Sequence, residues 1–285
     1  MGVVIVTYNP RKSLLKLIER VLLFAQFILI VDNGSSNTKI LDLCENIPGV
    51  QIKYLRENTG VATALNLGMD KAISAGLKHV ALFDQDSIPV KDYLEHIKMA
   101  YATWHGLKPV AVLGVNYTTE IGDNKLTGYA QTGKLLFANQ TAITSGSIIN
   151  CEAYENIGPF RDEFFIDHVD HEFCLRARAH GYEVLVVEAC LISHMIGRVE
   201  LIPIGRWNIL LTNHSAERRY YQRRNFLFLL KEYWRTESIW CLQMFIKELL
   251  GGVTMLCEKD RFRKLGYSLW GLWDGIRGCC KHRLL

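Results

Sequence analysis

Val80-Ala81-Leu82-Phe83-Asp84-Gln85-Asp86-Ser87 is an apolar run that breaks abruptly into two carboxylates spaced i, i+2. A short apolar run closed by polar residues reads as a strand buried on both faces. In extended backbone, alternate side chains point the same way, so Asp84 and Asp86 face together while Gln85 turns aside. Working back from this strand, Val61–Ala75 carries apolar residues at helical spacing and stops at Gly76, and Val50–Leu55 alternates as a strand does. Ile40–Cys44 is helical in pattern, Phe27–Val31 is another buried strand, Lys12–Phe24 a helix and Val3–Thr7 the first strand. Strands and helices alternating at these lengths form βαβ crossovers, hence an α/β chain with a doubly wound, mostly parallel sheet.

In such sheets the ligand lies beyond the carboxyl ends of the strands. Three of these ends are polar: Thr7-Tyr8-Asn9, Asp32-Asn33-Gly34-Ser35-Ser36 and Asp84-Gln85-Asp86-Ser87, which should converge on one crevice. Neither G-x-G-x-x-G after the first strand nor G-x-x-x-x-G-K-[ST] occurs, which argues against ordinary dinucleotide enzymes and P-loop ATPases. A hard divalent cation takes one or two carboxylates plus substrate phosphate oxygens, so Asp84 and Asp86 are the candidate ligands for Mg²⁺ or Mn²⁺. Asn58 and Gly60 stand at the start of the Val61 helix, where backbone N–H groups favour anions such as a diphosphate.

Downstream, Val115–Gln140 is a β-rich excursion and Ala142–Ile149 is strand-like around Ser145-Gly146-Ser147, with Ser147 a candidate to line the sugar site. Phe173–His180 continues a helix capped by Gly181, and Glu183–Val187 is the last expected strand, followed by His194. From about Gly205 the pattern turns helical, apolar and basic, which divides the chain into a catalytic region, 1–204, and a C-terminal extension, 205–285. Residues 1–200 hold 18 Lys and Arg against 22 Asp and Glu, net −4; residues 201–285 hold 15 against 7, net +8. A basic tail on a near-neutral body suits an anionic surface.

The eight cysteines form no C-x-x-C pair and read as reduced core residues. The chain opens directly on a strand, with no signal-like segment, so a cytoplasmic catalytic region is expected.

As a set, VVIVTYNP (3–10), ILIVDNGSS (28–36), RENTGVATALNLG (56–68), LFDQDS (82–87) and FFIDHVDHEFCLRARAHGYEV (164–184) resemble the inverting family 2 glycosyltransferases of the GT-A fold. The resemblance covers about residues 2–200. It implies that Thr7 and Asp32 hold the nucleobase and ribose; Tyr8, Asn9, Asn58, Gly60, Asp84, Gln85, Ser147 and His194 are the further candidates for the nucleotide-sugar site. Asp84 and Asp86 match the metal-binding D-x-D, with His194 a further candidate ligand. The Asp-Gln-Asp-Ser version, His-Ser-x-x-Arg-Arg-Tyr-Tyr (214–221), Arg-Asn (224–225) and Ser-His-Met-Ile-Gly (193–197) look like bacterial rhamnosyltransferases. That implies dTDP-L-rhamnose as donor and a lipid-linked surface-polysaccharide precursor as acceptor.

An inverting transfer needs a carboxylate to take the proton of the acceptor hydroxyl. Aligning Cys174-Leu175-Arg176 with the family's helix puts Asp170 at the base position and Glu172 at the second acidic position, with Asp167 the neighbouring candidate. Asp167, Glu172 and Arg224 are expected on the acceptor side. Ile239–Cys257 is mostly apolar but interrupted by Lys247-Glu248, which suits a helix lying in a membrane interface better than one spanning it. A helical cap or a homodimer interface is the competing reading. Nucleic acid is not an expected partner, since no recognised module is present. The alternatives for function are a sugar-phosphate nucleotidyltransferase, a processive synthase, which would carry Q-x-x-R-W and spanning helices, and a non-catalytic sugar-binding protein.

Overall fold

Gly2–Thr7 forms strand β1, buried at every one of its positions, as a central parallel strand covered on both faces must be. The computed structural model describes residues 1–121, 124–129, 131–194, 200–204 and 207–280, of which 120, 121, 124, 125, 194, 200–204 and 207–210 are described by backbone alone. After β1 the chain alternates through α1 (Ser13–Val21), β2 (Phe27–Asp32), α2 (Lys39–Glu45), β3 (Val50–Tyr54), α3 (Val61–Ser74) and β4 (His79–Asp84). There follow β5 (Ser87–Pro89), α4 (Tyr93–Tyr101), β6 (Val110–Ile121), β7 (Asn124–Thr127), β8 (Leu136–Ala138), β9 (Ser147–Asn150), α5 (Cys151–Ile157) and α6 (Val169–Ala179). The chain then forms β10 (Glu183–His194), β11 (Glu200–Ile204), β12 (Trp207–Leu211), α7 (Ala216–Tyr233), α8 (Ser238–Met255) and α9 (Arg261–Arg277).

The main sheet runs β3-β2-β1-β4-β9-β6-β10-β5. β3, β2, β1 and β4 are parallel, as are β6 and β10, while β9 inserts antiparallel between the two sets. Period-two alternation along β1 sends Val4 and Val6 into a core shared with α3, α5, α6 and α7, and Val3 and Ile5 into the opposite core with α1 and α4.

Three expectations are corrected. The strand expected over Ala142–Ile149 occupies only Ser147–Asn150, because Gly146 at φ 76° turns the chain first. The last catalytic strand does not stop at Val187 but runs to His194, carried past register shifts by its pairing with β6 and β5. The extension is not helical from Gly205: β11 and β12 form a separate antiparallel hairpin, and the helices begin at Ala216, where Ser215 caps α7 by accepting from the Arg218 N–H.

α7 grips the segment that leads into α6. Asn225, fully buried, places Nδ2 at 2.8–2.9 Å from the carbonyl oxygens of Phe164, Ile166 and Asp167. Arg224, also fully buried, donates to the Glu163 carbonyl and lies over the rings of Tyr221, Tyr220 and Phe228 at 4.8–5.6 Å. These contacts hold Phe165, Asp167 and His168 at φ 60–62°, a left-handed region that costs ordinary residues free energy and needs external support. On the other side, Phe165 stacks on Tyr221 and its carbonyl accepts from the Val61 N–H at 2.6 Å.

Gly60 makes that approach possible. At φ 92°, a Cβ here would sit 2.7 Å from both the carbonyl oxygen and a ring carbon of Phe165. Gly60→Ala should therefore cost about 1–3 kcal/mol of stability, seen as a lower thermal midpoint by circular dichroism; an unchanged midpoint would show the contact to be slack.

Candidate active site

The pairing register brings the strand ends level: Thr7 lies opposite Asp32, and Val6 opposite Asp84. Asp32 and Thr7 are each only 1% exposed, and the Thr7 hydroxyl donates to Asp32 Oδ1 at 2.9 Å. Asp32 also accepts from the Ser35 hydroxyl and N–H, while Asn9 Oδ1 accepts from the N–H groups of Ser36 and Asn37. Asn33 joins the web to α3, its Nδ2 donating to Asn58 Oδ1 and its Oδ1 accepting from the Thr59 N–H. Gln85 bonds the backbone of Tyr8 at both ends of its amide, at 2.8 and 3.1 Å. The polar strand ends thus satisfy one another and fix the floor of the crevice. From the first of them only Tyr8, 49% exposed, presents a side chain broadly to solvent.

Several residues expected to touch the nucleotide sugar are committed elsewhere. Asn58 Oδ1 accepts from the Gly60 N–H, and the first N–H of α3 is taken by the Phe165 carbonyl. Ser147 is buried inside the sheet and donates to the Ile143 carbonyl at 2.5 Å. On the acceptor side, Glu172 is buried and held by Arg176 at 2.9 Å, the same guanidinium that caps the carbonyls of Ile157, Gly158 and Pro159. Burial pushes the Glu172 carboxyl up against the pull of Arg176. Arg224 grips the loop backbone, as described above. In this structure each of these four side chains is bonded within the protein. The side chain of His194 lies outside the described residues, although its backbone pairs with Ser87 beside Asp86.

What remains in the crevice is a set of charges. Asp84 ends β4 with its N–H donated to the Ser145 hydroxyl at 3.0 Å, and both it and Asp86 are partly exposed. Among the described residues no three His, Cys, Asp or Glu side chains gather into a metal-holding group. The protein therefore offers a two-carboxylate donor set at a strand end, which suits a hard cation whose other ligands come from a phosphate-bearing substrate.

Asp170 stands in the first turn of α6 and accepts from the His171 N–H at 2.8 Å and the Thr144 N–H at 3.3 Å. Asp167 is bound instead by Arg218, whose Nε and Nη2 lie 2.8–3.1 Å from its carboxylate. Burial would raise the Asp167 carboxyl, but Arg218 holds it below the usual carboxylate range. Arg218 in turn is held up first by Asp167 and further by Asp84 and Asp170, whose charges both reach it. His214, just before α7, is pushed down to about 4 by burial and by Arg218. The start of α7 also lines a 320 Å³ cavity with Asn213, Ser215, Lys259, Arg263 and Lys264.

The structure thus unites Asp84, Asp167 and Asp170 around Arg218, a residue that the sequence reading passed over as a site residue. Its only signal was its place in the His-Ser-x-x-Arg-Arg stretch.

The dTDP-rhamnosyl transferase RfbF of Shigella flexneri is 27% identical over 96% of this chain and 95% of its own length. The crystal structure of S. aureus TarS 1–349 with UDP-GlcNAc superposes with a TM-score of 0.62 at 15% identity, over 98% of this chain and 81% of that one. GalNAc-T7 with UDP, GalNAc and Mn²⁺ gives 0.61 at 12%, over 97% of this chain and 55% of that one. These two show the GT-A fold. The glycosyl transferase family 2 profile matches residues 2–158, the whole of the strand-end web and the D-x-D, and the chain belongs to that family.

Proposed function

We propose that this chain transfers L-rhamnose from dTDP-L-rhamnose, with inversion, to the saccharide of a lipid-linked polysaccharide precursor. The observation that carries the reading is Asp170, a carboxylate at the start of α6 that accepts from the His171 and Thr144 N–H groups and whose charge, like that of Asp84, reaches Arg218. The sugar follows from the end-to-end relation to a dTDP-rhamnosyl transferase.

Asp170 takes the proton of the acceptor hydroxyl as that oxygen attacks the anomeric carbon opposite the departing nucleotide. Asp167 cannot share that work while Arg218 claims both of its oxygens; it anchors the loop. Arg218 supplies a fixed positive charge between the two groups of carboxylates, where negative charge develops on the leaving diphosphate. A Mg²⁺ or Mn²⁺ ion held by Asp84 and Asp86, with His194 as the expected further ligand, would neutralise that same diphosphate.

The extension supports a lipid-borne acceptor. Ile239, Leu242, Ile246, Leu249 and Val253 on α8, and Phe262, Leu269, Trp273 and Ile276 on α9, are all exposed at helical spacing. Exposed Lys247, Lys259, Arg261 and Arg277 belong to the same two helices and the turn joining them. Among the described residues no helix is long and apolar enough to cross a membrane. Apolar and aromatic faces flanked by cations suit the interface of an anionic bilayer, with the catalytic region on the cytoplasmic side.

Asp170→Asn keeps size and shape, so kcat should fall by roughly 10²–10⁴-fold with little change in KM; Asp167→Asn should cost less. Steady-state rates decide between them, and a dead Asp167→Asn beside a normal Asp170→Asn would move the base. Transfer should stop in excess EDTA, return with Mg²⁺ or Mn²⁺, and fail to return in Asp86→Asn; full activity in EDTA contradicts the metal role. Leu249→Glu with Val253→Glu should release the protein from anionic vesicles in co-sedimentation. Retained binding with loss of a dimer would assign the face to a second copy of the chain.

A further inference from the structure

His168 caps the start of α6, buried and left-handed at φ 62°. Its Nδ1 lies 2.9 Å from Nδ1 of His171, and a contact that short needs a hydrogen on one nitrogen and a lone pair on the other. The two rings therefore cannot both be imidazolium. Burial, reinforced by His171, pushes His168 down to about 3, and burial also lowers His171 despite the pull of Asp170.

On its other side His168 Nε2 faces Glu248 Oε1 of α8 at 3.9 Å. Arg223 holds Glu248 in place, donating to its carboxylate and, at 2.7 Å, to its backbone carbonyl. A carboxylate beside a neutral imidazole favours the tautomer that turns N–H toward it. That choice puts the His168 hydrogen on Nε2 and leaves its Nδ1 as acceptor, so His171 must carry its hydrogen on Nδ1. His171 also meets Trp240 of α8 edge-on at 5.5 Å. The backbone N–H of His171, not its ring, donates to Asp170 Oδ1.

We propose that His168 and His171 are positioning residues for Asp170, a neutral imidazole pair whose tautomers are set by Glu248. This rests on Asp170 being the base. The pair ties the residue two places before Asp170 to the residue just after it. The carboxylate is thereby held toward the acceptor by α8 from behind, without either ring touching substrate.

The test combines kinetics with nitrogen-15 NMR of histidine-labelled full-length protein. Wild type should show two neutral rings near neutral pH, protonated on Nε2 in His168 and on Nδ1 in His171. His168→Asn keeps a polar residue tolerant of the left-handed turn but removes the ring. It should lower kcat by about 10-fold or more, as partners that orient a functional side chain do, with donor KM and thermal midpoint close to wild type. Glu248→Gln should shift the His168 tautomer while leaving donor KM unchanged. Both rings on Nε2, or a normal kcat in His168→Asn, would overturn the proposal. Normal turnover in Asp170→Asn would instead remove the base reading on which it rests, so the two failures are distinguishable.

Discussion

The grip of Asn225 on the carbonyls of Phe164, Ile166 and Asp167 is the contact on which the candidate catalytic segment depends. Phe165, Asp167 and His168 all have positive φ, which costs Phe165 the most because it has no short polar side chain to bond locally. The conformation persists because α7 over-determines it: Asn225 binds the carbonyls, Arg224 binds Glu163, and Arg218 binds the Asp167 carboxylate. Burying Arg224 completely would be costly if its guanidinium were left bare. Here it is met by a carbonyl, by Asn225 Oδ1 and by three aromatic faces.

The consequence is a division of labour between two rigid sides of one crevice. The parallel strands and their mutually bonded polar ends place Asp84, with Asp86 just beyond it. The loop gripped by α7 places Asp170. The start of α3 is joined to both, through Asn33–Asn58 on one side and Phe165 on the other. A basic C-terminal region that looks in sequence like an appendage is therefore part of the candidate site's frame.

That also explains what could be read from the sequence. The βαβ alternation was legible because buried strands are short apolar runs and their ends are polar, and Asp84 and Asp86 stood out through the period of extended backbone. Residue type does not show which neighbour satisfies a polar group. Asn58, Ser147, Glu172 and Arg224 have the chemistry of ligand-binding residues, yet the Gly60 N–H, the Ile143 carbonyl, Arg176 and the Glu163 carbonyl claim them. The β11–β12 hairpin was missed because its apolar, β-branched residues sit beside a long helical pattern that dominated the reading. Arg218 was passed over because its partner Asp167 lies 51 residues away.

Amide hydrogen exchange over residues 163–170 tests the central claim most directly, comparing wild type with Asn225→Ala. If α7 holds the loop in its left-handed form, wild type should protect this segment nearly as well as the sheet. Asn225→Ala should lose protection there, while β1, β2 and β4 exchange as before. Equal protection of the loop in both proteins would contradict the account.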